Sequence, residues 1–177
     1  MTDDCRIEKL SSAYITPPQG FADQDDFWNA AVKVTTDLST ITLKHEVLDV
    51  IERKLKRVRD PNNKNAPRTI DLDISLWNDE VFDYGEKPWH IPDPDILRFA
   101  HVVIPLAEIA PNYVHPLEKI PLAQIAAQYD LNQLHFAKKA SWYAGWSSGK
   151  RSTGIDGQWY NRAVVPVGGG LPNPREP

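Results

Sequence analysis

The clearest pattern in the chain is an alternation. Ile70, Leu72, Ile74 and Leu76 fall on one parity, and Thr69, Asp71, Asp73 and Ser75 on the other. This period of two predicts a strand over 69–77 with one face in a core. Residues two apart on a strand are roughly 6.5–7 Å apart, so Asp71 and Asp73 share a face and can converge on one ion or flank two. Polar residues also line ordinary solvated strands, so the pair alone leaves that reading open. Just upstream the period changes. Leu43, Val47, Val50, Ile51, Leu55 and Val58 recur every three or four residues, which predicts a helix over 43–59. Ser39, Thr40 and Thr42 are candidate N-caps. Lys56, Arg57 and Arg59 suit the negative end of the macrodipole, and Asp49, Glu52, Lys56 and Arg59 form a polar stripe expected to lie off the buried face.

Before the helix, KLSSAYITPP reads as a short strand ending in a turn at Pro17 and Pro18, and FWNAAVKVTTDL as a second strand. After 69–77 the chain turns away through NDEVFDYGEKP. A short helix is expected near 95–99, an apolar strand or helix start over 102–109, and a last amphipathic helix in IPLAQIAAQY. This order predicts an α+β sandwich, helices packed on a mainly antiparallel sheet. From about 131 the period is lost, and 131–177 reads as an irregular tail containing Gly, Pro and Trp. The expected organisation is one domain over 1–130 followed by that tail.

The chain has 177 residues and 41% hydrophobic content, enough for one core. Its formal charge of −4 gives no global basic field for nucleic acid. Locally the balance reverses: 44–68 holds eight Lys or Arg against four Asp or Glu. Cations running into a paired-acid strand are what a metal-bound polyphosphate requires. Cys5 is the single cysteine, so an intrachain disulfide or thiolate metal site is excluded, as suits a reducing cytosol. No apolar run reaches signal-peptide or membrane-span length, and the expected location is cytoplasmic, with no membrane partner.

APRTIDLDISLW, with RVR upstream, resembles the diagnostic stretch of the 6-hydroxymethyl-7,8-dihydropterin pyrophosphokinases, Gly-Pro-Arg-Thr-Leu-Asp-Leu-Asp. SSAYITPPQG, DQDDFWNAAV and IPDPDILRFAHVVIPLAEIAP resemble further family segments in the same order, so the similarity covers roughly 10–127. The resemblance implies a ferredoxin-like fold and pyrophosphoryl transfer from ATP to the pterin's hydroxymethyl oxygen, releasing AMP, in folate biosynthesis. It implies that Asp71 and Asp73 hold two magnesium ions and act in catalysis with Arg57 and Arg68. Hard cations take carboxylate oxygen, and planar guanidinium forks pair with phosphate. Glu52, Arg57, Arg59, Arg68 and Ile74 match nucleotide-contacting positions. Thr16, Pro17, Pro18 and Gln19 would wall the pterin pocket, Phe27 would stack on the ring, and Asn29 would read its amide and amine edge.

There are departures as well. Family members begin with a strand carrying Gly-Ser-Asn and a long helix, and no counterpart precedes residue 10, which predicts an exposed sheet edge. Pro92, Asp93 and Pro94 stand where the family has Pro-His-Pro. Phe99, Ala100 and His101 stand where it has Arg-x-Phe, so Arg98 is expected to supply the phosphate cation and His101 the second stacking ring. The signature glycine is Ala66. These departures motivate a second reading, a catalytically impaired pterin- or nucleotide-binding remnant or a subunit of a folate-pathway assembly, and association with other folate enzymes is expected under either. The acid pair alone would also suit an Asp-x-Asp glycosyltransferase, which usually needs a larger nucleotide-binding domain.

Overall fold

The computed structural model describes residues 5–16, 27–57, 69–86 and 88–130, together with the backbone of 162–167. It is a mixed α/β structure. Strands β1 (Cys5–Leu10) and β2 (Tyr14–Thr16) both pair antiparallel with β3 (Phe27–Thr36). β4 (Leu72–Trp77) is followed by an antiparallel hairpin, β5 (Phe82–Tyr84) and β6 (Trp89–Ile91). The last strand, β7 (Arg162–Val167), lies between β3 and β4, parallel to both, so the main sheet runs β1-β3-β7-β4.

This placement corrects the reading of 131–177 as irregular throughout. The exposed edge expected from a missing strand is also absent between β3 and β4, because β7 satisfies both of their facing edges. A run such as RAVVPV carries β propensity, but its partners are far away in sequence.

The sheet has a core on each face. One holds Tyr14, Ala31 and Leu76 against helices α3 (Ala100–Ile109) and α4 (Leu122–Ala126). Glu108 ties α3 to the β1–β2 turn: its carboxylate accepts from the Ser12 amide (2.8 Å), the Ser12 hydroxyl (2.9 Å) and the Tyr14 hydroxyl (2.8 Å). The other core gathers Val34, Leu43, Leu48, Ile70, Leu72, Ile74, Tyr84 and Ile91. A continuous helical segment covers it: α1 (Thr40–Thr42), a π-helical stretch (Leu43–Leu48) and α2 (Asp49–Lys54). Ser39 is its N-cap, accepting from the Thr42 amide at 3.2 Å.

The π-helical turns change which residues face inward. Hydrogen bonds spanning five residues widen each turn, and the buried positions become Leu43, Lys44, Leu48 and Glu52, spaced by one, four and four. Of the expected stripe, Val47 still packs against this core, while Ile51 is rotated out to 38% exposure, and Glu52 is 2% exposed instead of lying off the buried face. The helix also stops at Lys54, five residues short of the expected end. Lys56 takes a left-handed φ of 61°, which folds Arg57 back toward the sheet.

Near 95–99 the chain forms a 3-10 turn, Pro94–Leu97, and the segment after it is helical. Among the described residues no helix is long and apolar enough to cross a membrane.

Candidate active site

The acid-bearing strand follows its predicted alternation as far as Ile74; a bulge between Ile74 and Leu76 then turns Leu76 to the opposite core and leaves Ser75 buried. Ile70, Leu72, Ile74 and Leu76 are 9%, 6%, 3% and 1% exposed, while Asp71 and Asp73 are half-buried. Arg57 reaches Asp71 Oδ1 at 2.5 Å and Glu52 Oε1 at 2.6 Å. Burial works against the guanidinium's charge, but Asp71, Glu52 and Asp73 outweigh it and hold Arg57 above its ordinary value. The two strand carboxylates and this arginine therefore share one electrostatic neighbourhood.

Glu52 binds the strand itself. Its Oε1 accepts the Leu72 N–H at 2.8 Å, and the Leu72 carbonyl accepts from the Lys44 ammonium at 2.8 Å. Both backbone polar groups of the residue between the two aspartates are thus held by side chains of the helical segment. Lys44 was not expected here. The signal was there: at about 100° per residue Lys44 falls inside the apolar arc, between Ile51 and Leu55, whereas Glu52 falls outside it. Tyr84 was missed as well. Burial, followed by the charges of Asp73, Asp93 and Asp49, pushes its phenol well above the usual range.

The other expected residues are placed as follows. Asn29, 2% exposed, donates through Nδ2 to Thr16 Oγ1 (3.0 Å) and to the carbonyls of Tyr14 and Phe27 (both 3.3 Å). Thr16 and Phe27 are cross-strand partners, so these three form one group at the start of β3. The register relates this group to the acids. Ala30 and Leu72 both align with Ala163, and Ala31 and Asp73 both align with Val164. Matched register on parallel strands puts Asn29 and Asp71 level on one face, about 10 Å apart across β7.

His101 stacks on Phe99, with ring centroids 5.2 Å apart and planes 22° apart. Arg98 is exposed and only 3.9 Å from Asp95, and no bond to the acid pair is seen among the described residues. Ile74 is core, which leaves its main chain as the part able to meet a ligand. Asp93 caps the 3-10 turn, accepting from the Asp95 amide (2.9 Å) and the Ser75 hydroxyl (3.4 Å), and its amide donates to the Ser75 carbonyl (2.8 Å). Arg59, Arg68, Pro17, Pro18 and Gln19 lie outside the described residues.

Among the described residues no three His, Cys, Asp or Glu side chains gather as a metal cage. A pair of carboxylates fits magnesium better than such a cage would. That ion keeps several waters and commonly takes only one or two protein carboxylates together with substrate phosphates.

The model of the 7,8-dihydro-6-hydroxymethylpterin-pyrophosphokinase family matches residues 1–111. An Aquifex aeolicus protein named 2-amino-4-hydroxy-6-hydroxymethyldihydropteridine pyrophosphokinase is 36% identical over 126 residues, 71% of this chain and 75% of that protein. The Haemophilus influenzae protein of the same name is 36% identical over 119 residues, 67% of this chain and 71% of its own. The folic acid synthesis protein FOL1 of Dictyostelium discoideum is 37% identical over 112 residues, 63% of this chain, and the match spans only 16% of that longer protein. With a matched span covering well over half its length, the chain belongs to the 7,8-dihydro-6-hydroxymethylpterin-pyrophosphokinase family.

Proposed function

We propose that this chain transfers the pyrophosphoryl group of ATP to 6-hydroxymethyl-7,8-dihydropterin in folate biosynthesis. The pterin's hydroxymethyl oxygen forms a bond to the β-phosphorus, the bridging bond from that phosphorus toward the α-phosphate breaks, AMP leaves, and the hydroxyl proton is released. The observation that carries this reading is the register of β3 and β4. It sets the Thr16–Phe27–Asn29 group about 10 Å from the Asp71–Arg57 pair on one face, a span suited to a pterin beside a triphosphate.

Asp71 and Asp73 would supply carboxylate oxygens for two magnesium ions, which would neutralise the charge developing on the phosphates. Arg57, held by Asp71 and Glu52, brings a fixed cation to the same place, and Arg59 and Arg68 add to the phosphate grip. Glu52 acts from beneath, holding Arg57 and the strand. Asn29 orients the pterin's polar edge, Phe27 and His101 stack on its faces, and Thr16, Pro17, Pro18 and Gln19 wall the pocket. Arg98 reaches the nucleotide from the start of α3.

A ferredoxin-like sandwich is the finer fold that accompanies this proposal. Residues 1–130 make the catalytic unit, to which 162–167 contributes a strand. A cytosolic location and association with other folate enzymes belong to the same reading; the latter is supported by the match to one portion of a longer folic acid synthesis protein.

The purified chain, incubated with ATP, magnesium and 6-hydroxymethyl-7,8-dihydropterin, is expected to form AMP, and Asp71→Ala and Asp73→Ala to abolish its formation. Ligand binding without AMP would establish the remnant reading instead.

A further inference from the structure

Lys44 is the most deeply buried cation among the described residues, its side chain only 3% exposed. Its ammonium donates to the Leu72 carbonyl at 2.8 Å, lies 3.3 Å from Asp49 Oδ1 and 3.9 Å from Glu52 Oε1, and sits 5.9 Å from the centre of the Trp89 ring. Burying an ammonium is costly even with partners, and an apolar residue of similar volume often serves stability as well or better. Stability alone is therefore a weak reason for it.

The geometry points to Lys44 as a positioning residue for the Asp71–Asp73 pair. The Leu72 carbonyl and the Asp73 N–H belong to one peptide unit, and the Leu72 N–H and Asp71 carbonyl to the preceding one. Lys44 holds the first unit through its oxygen, and Glu52 holds the second through its N–H at 2.8 Å. The two units that set the backbone direction at both aspartates are thus pinned from the helical segment, on the side of β4 away from β7. Two carboxylates meant to receive cations repel each other until the ions arrive. A strand end carrying them gains from a second restraint on its main chain, and Lys44 provides one with no contact to substrate. The π-helical stretch makes this possible: its wide turns bring Lys44 and Glu52 to the same buried face. Ligand-orienting partners of this kind commonly change metal affinity by about 10- to 100-fold when removed.

The inference rests on the proposed role of Asp71 and Asp73, and its test separates the two. Lys44→Met, the milder Lys44→Gln, and the control Val103→Ala, which trims the opposite core, are compared with wild type in the full chain. Three quantities are measured: amide exchange at Leu72 and Asp73, binding of manganese with a non-hydrolysable ATP analogue, and kcat against pterin KM. Lys44→Met is expected to raise exchange at those two amides by about tenfold or more, weaken manganese binding by about tenfold and lower kcat with pterin KM unchanged. Lys44→Gln, which can still donate to the carbonyl, is expected to fall between. Val103→Ala should leave both local exchange and metal affinity within about twofold, whatever its melting temperature. Should Lys44→Met be too unstable to purify, Lys44→Gln alone decides by the same criteria. Unchanged exchange at Leu72 and Asp73, or a loss of metal affinity no larger than the control's, overturns the inference. If wild type binds no manganese–nucleotide while exchange still responds to Lys44, the clamp stands and the proposed function fails.

Discussion

Glu52→Gln removes one negative charge from a carboxylate that is 2% exposed and leaves its shape nearly intact. The amide oxygen can still accept the Leu72 N–H, so that bond survives. The anion shared by Arg57 at 2.6 Å and Lys44 at 3.9 Å does not. Removing one partner of a buried ion pair typically costs about 3–5 kcal/mol. Here both cations keep other partners, Arg57 with Asp71 at 2.5 Å and Lys44 with Asp49 at 3.3 Å, which brings the expected cost to about 2–3 kcal/mol. For a chain of this size each kcal/mol moves the melting temperature by roughly 2–4 °C, so Glu52→Gln should melt roughly 4–12 °C below wild type. Thermal unfolding followed by circular dichroism measures this directly, and calorimetry of ATP-analogue binding separates the alternative. A variant that melts within about 1 °C of wild type but binds nucleotide weakly would show that Glu52 touches the nucleotide, and would refute its assignment as a buried strut.

Ser39→Ala should cost about 1 kcal/mol through loss of the N-cap, read as a lower urea midpoint with an unchanged slope. His115 is buried, its Nδ1 accepting from the amides of Leu117 and Glu118, and burial lowers its pKa despite Glu118 nearby. The unfolded chain therefore takes up a proton below about pH 6.5 while the folded chain does not, so stability falls with pH from there down to the folded value. The slope is at most about 1.4 kcal/mol per pH unit, and His115→Asn should remove it from melting curves taken between pH 8 and 5. Truncation after Asp130 deletes β7 and is expected to abolish cooperative melting and AMP formation together. A truncated chain that keeps both would show that β3 and β4 do not depend on the strand between them.

What could be read along the chain was whatever is encoded locally. Asp71 and Asp73 were legible because a strand buried on one face imposes strict alternation on its apolar residues. Ser39 was legible because capping is settled within four residues. The burial of Glu52 was not legible, because a period of 3.6 puts it off the apolar stripe and Leu43–Leu48 winds more widely, whereas Lys44 lies within that stripe and only its charge argued against burial. The short β5–β6 hairpin was seen only as a turn, although Gly85, with φ 81°, marks its bend. The place of β7 had no local signal at all. A run of β-formers can announce a strand, but the partners lie about 85 residues upstream and beyond. Of the candidate site, residue types and order were readable, whereas the proximity of β3 to β4 emerges only from their shared neighbour.

That shared neighbour also gives the fold a timetable. About 85 residues separate Trp77 from Arg162, which a ribosome adding 5–20 residues per second takes roughly 4–17 s to make. Throughout that interval the nascent polypeptide carries two strands whose inward edges still lack a mate, and such edges invite intermolecular pairing. Recovery of native protein from cells should therefore depend on translation speed and on chaperone supply more steeply than its final stability would suggest.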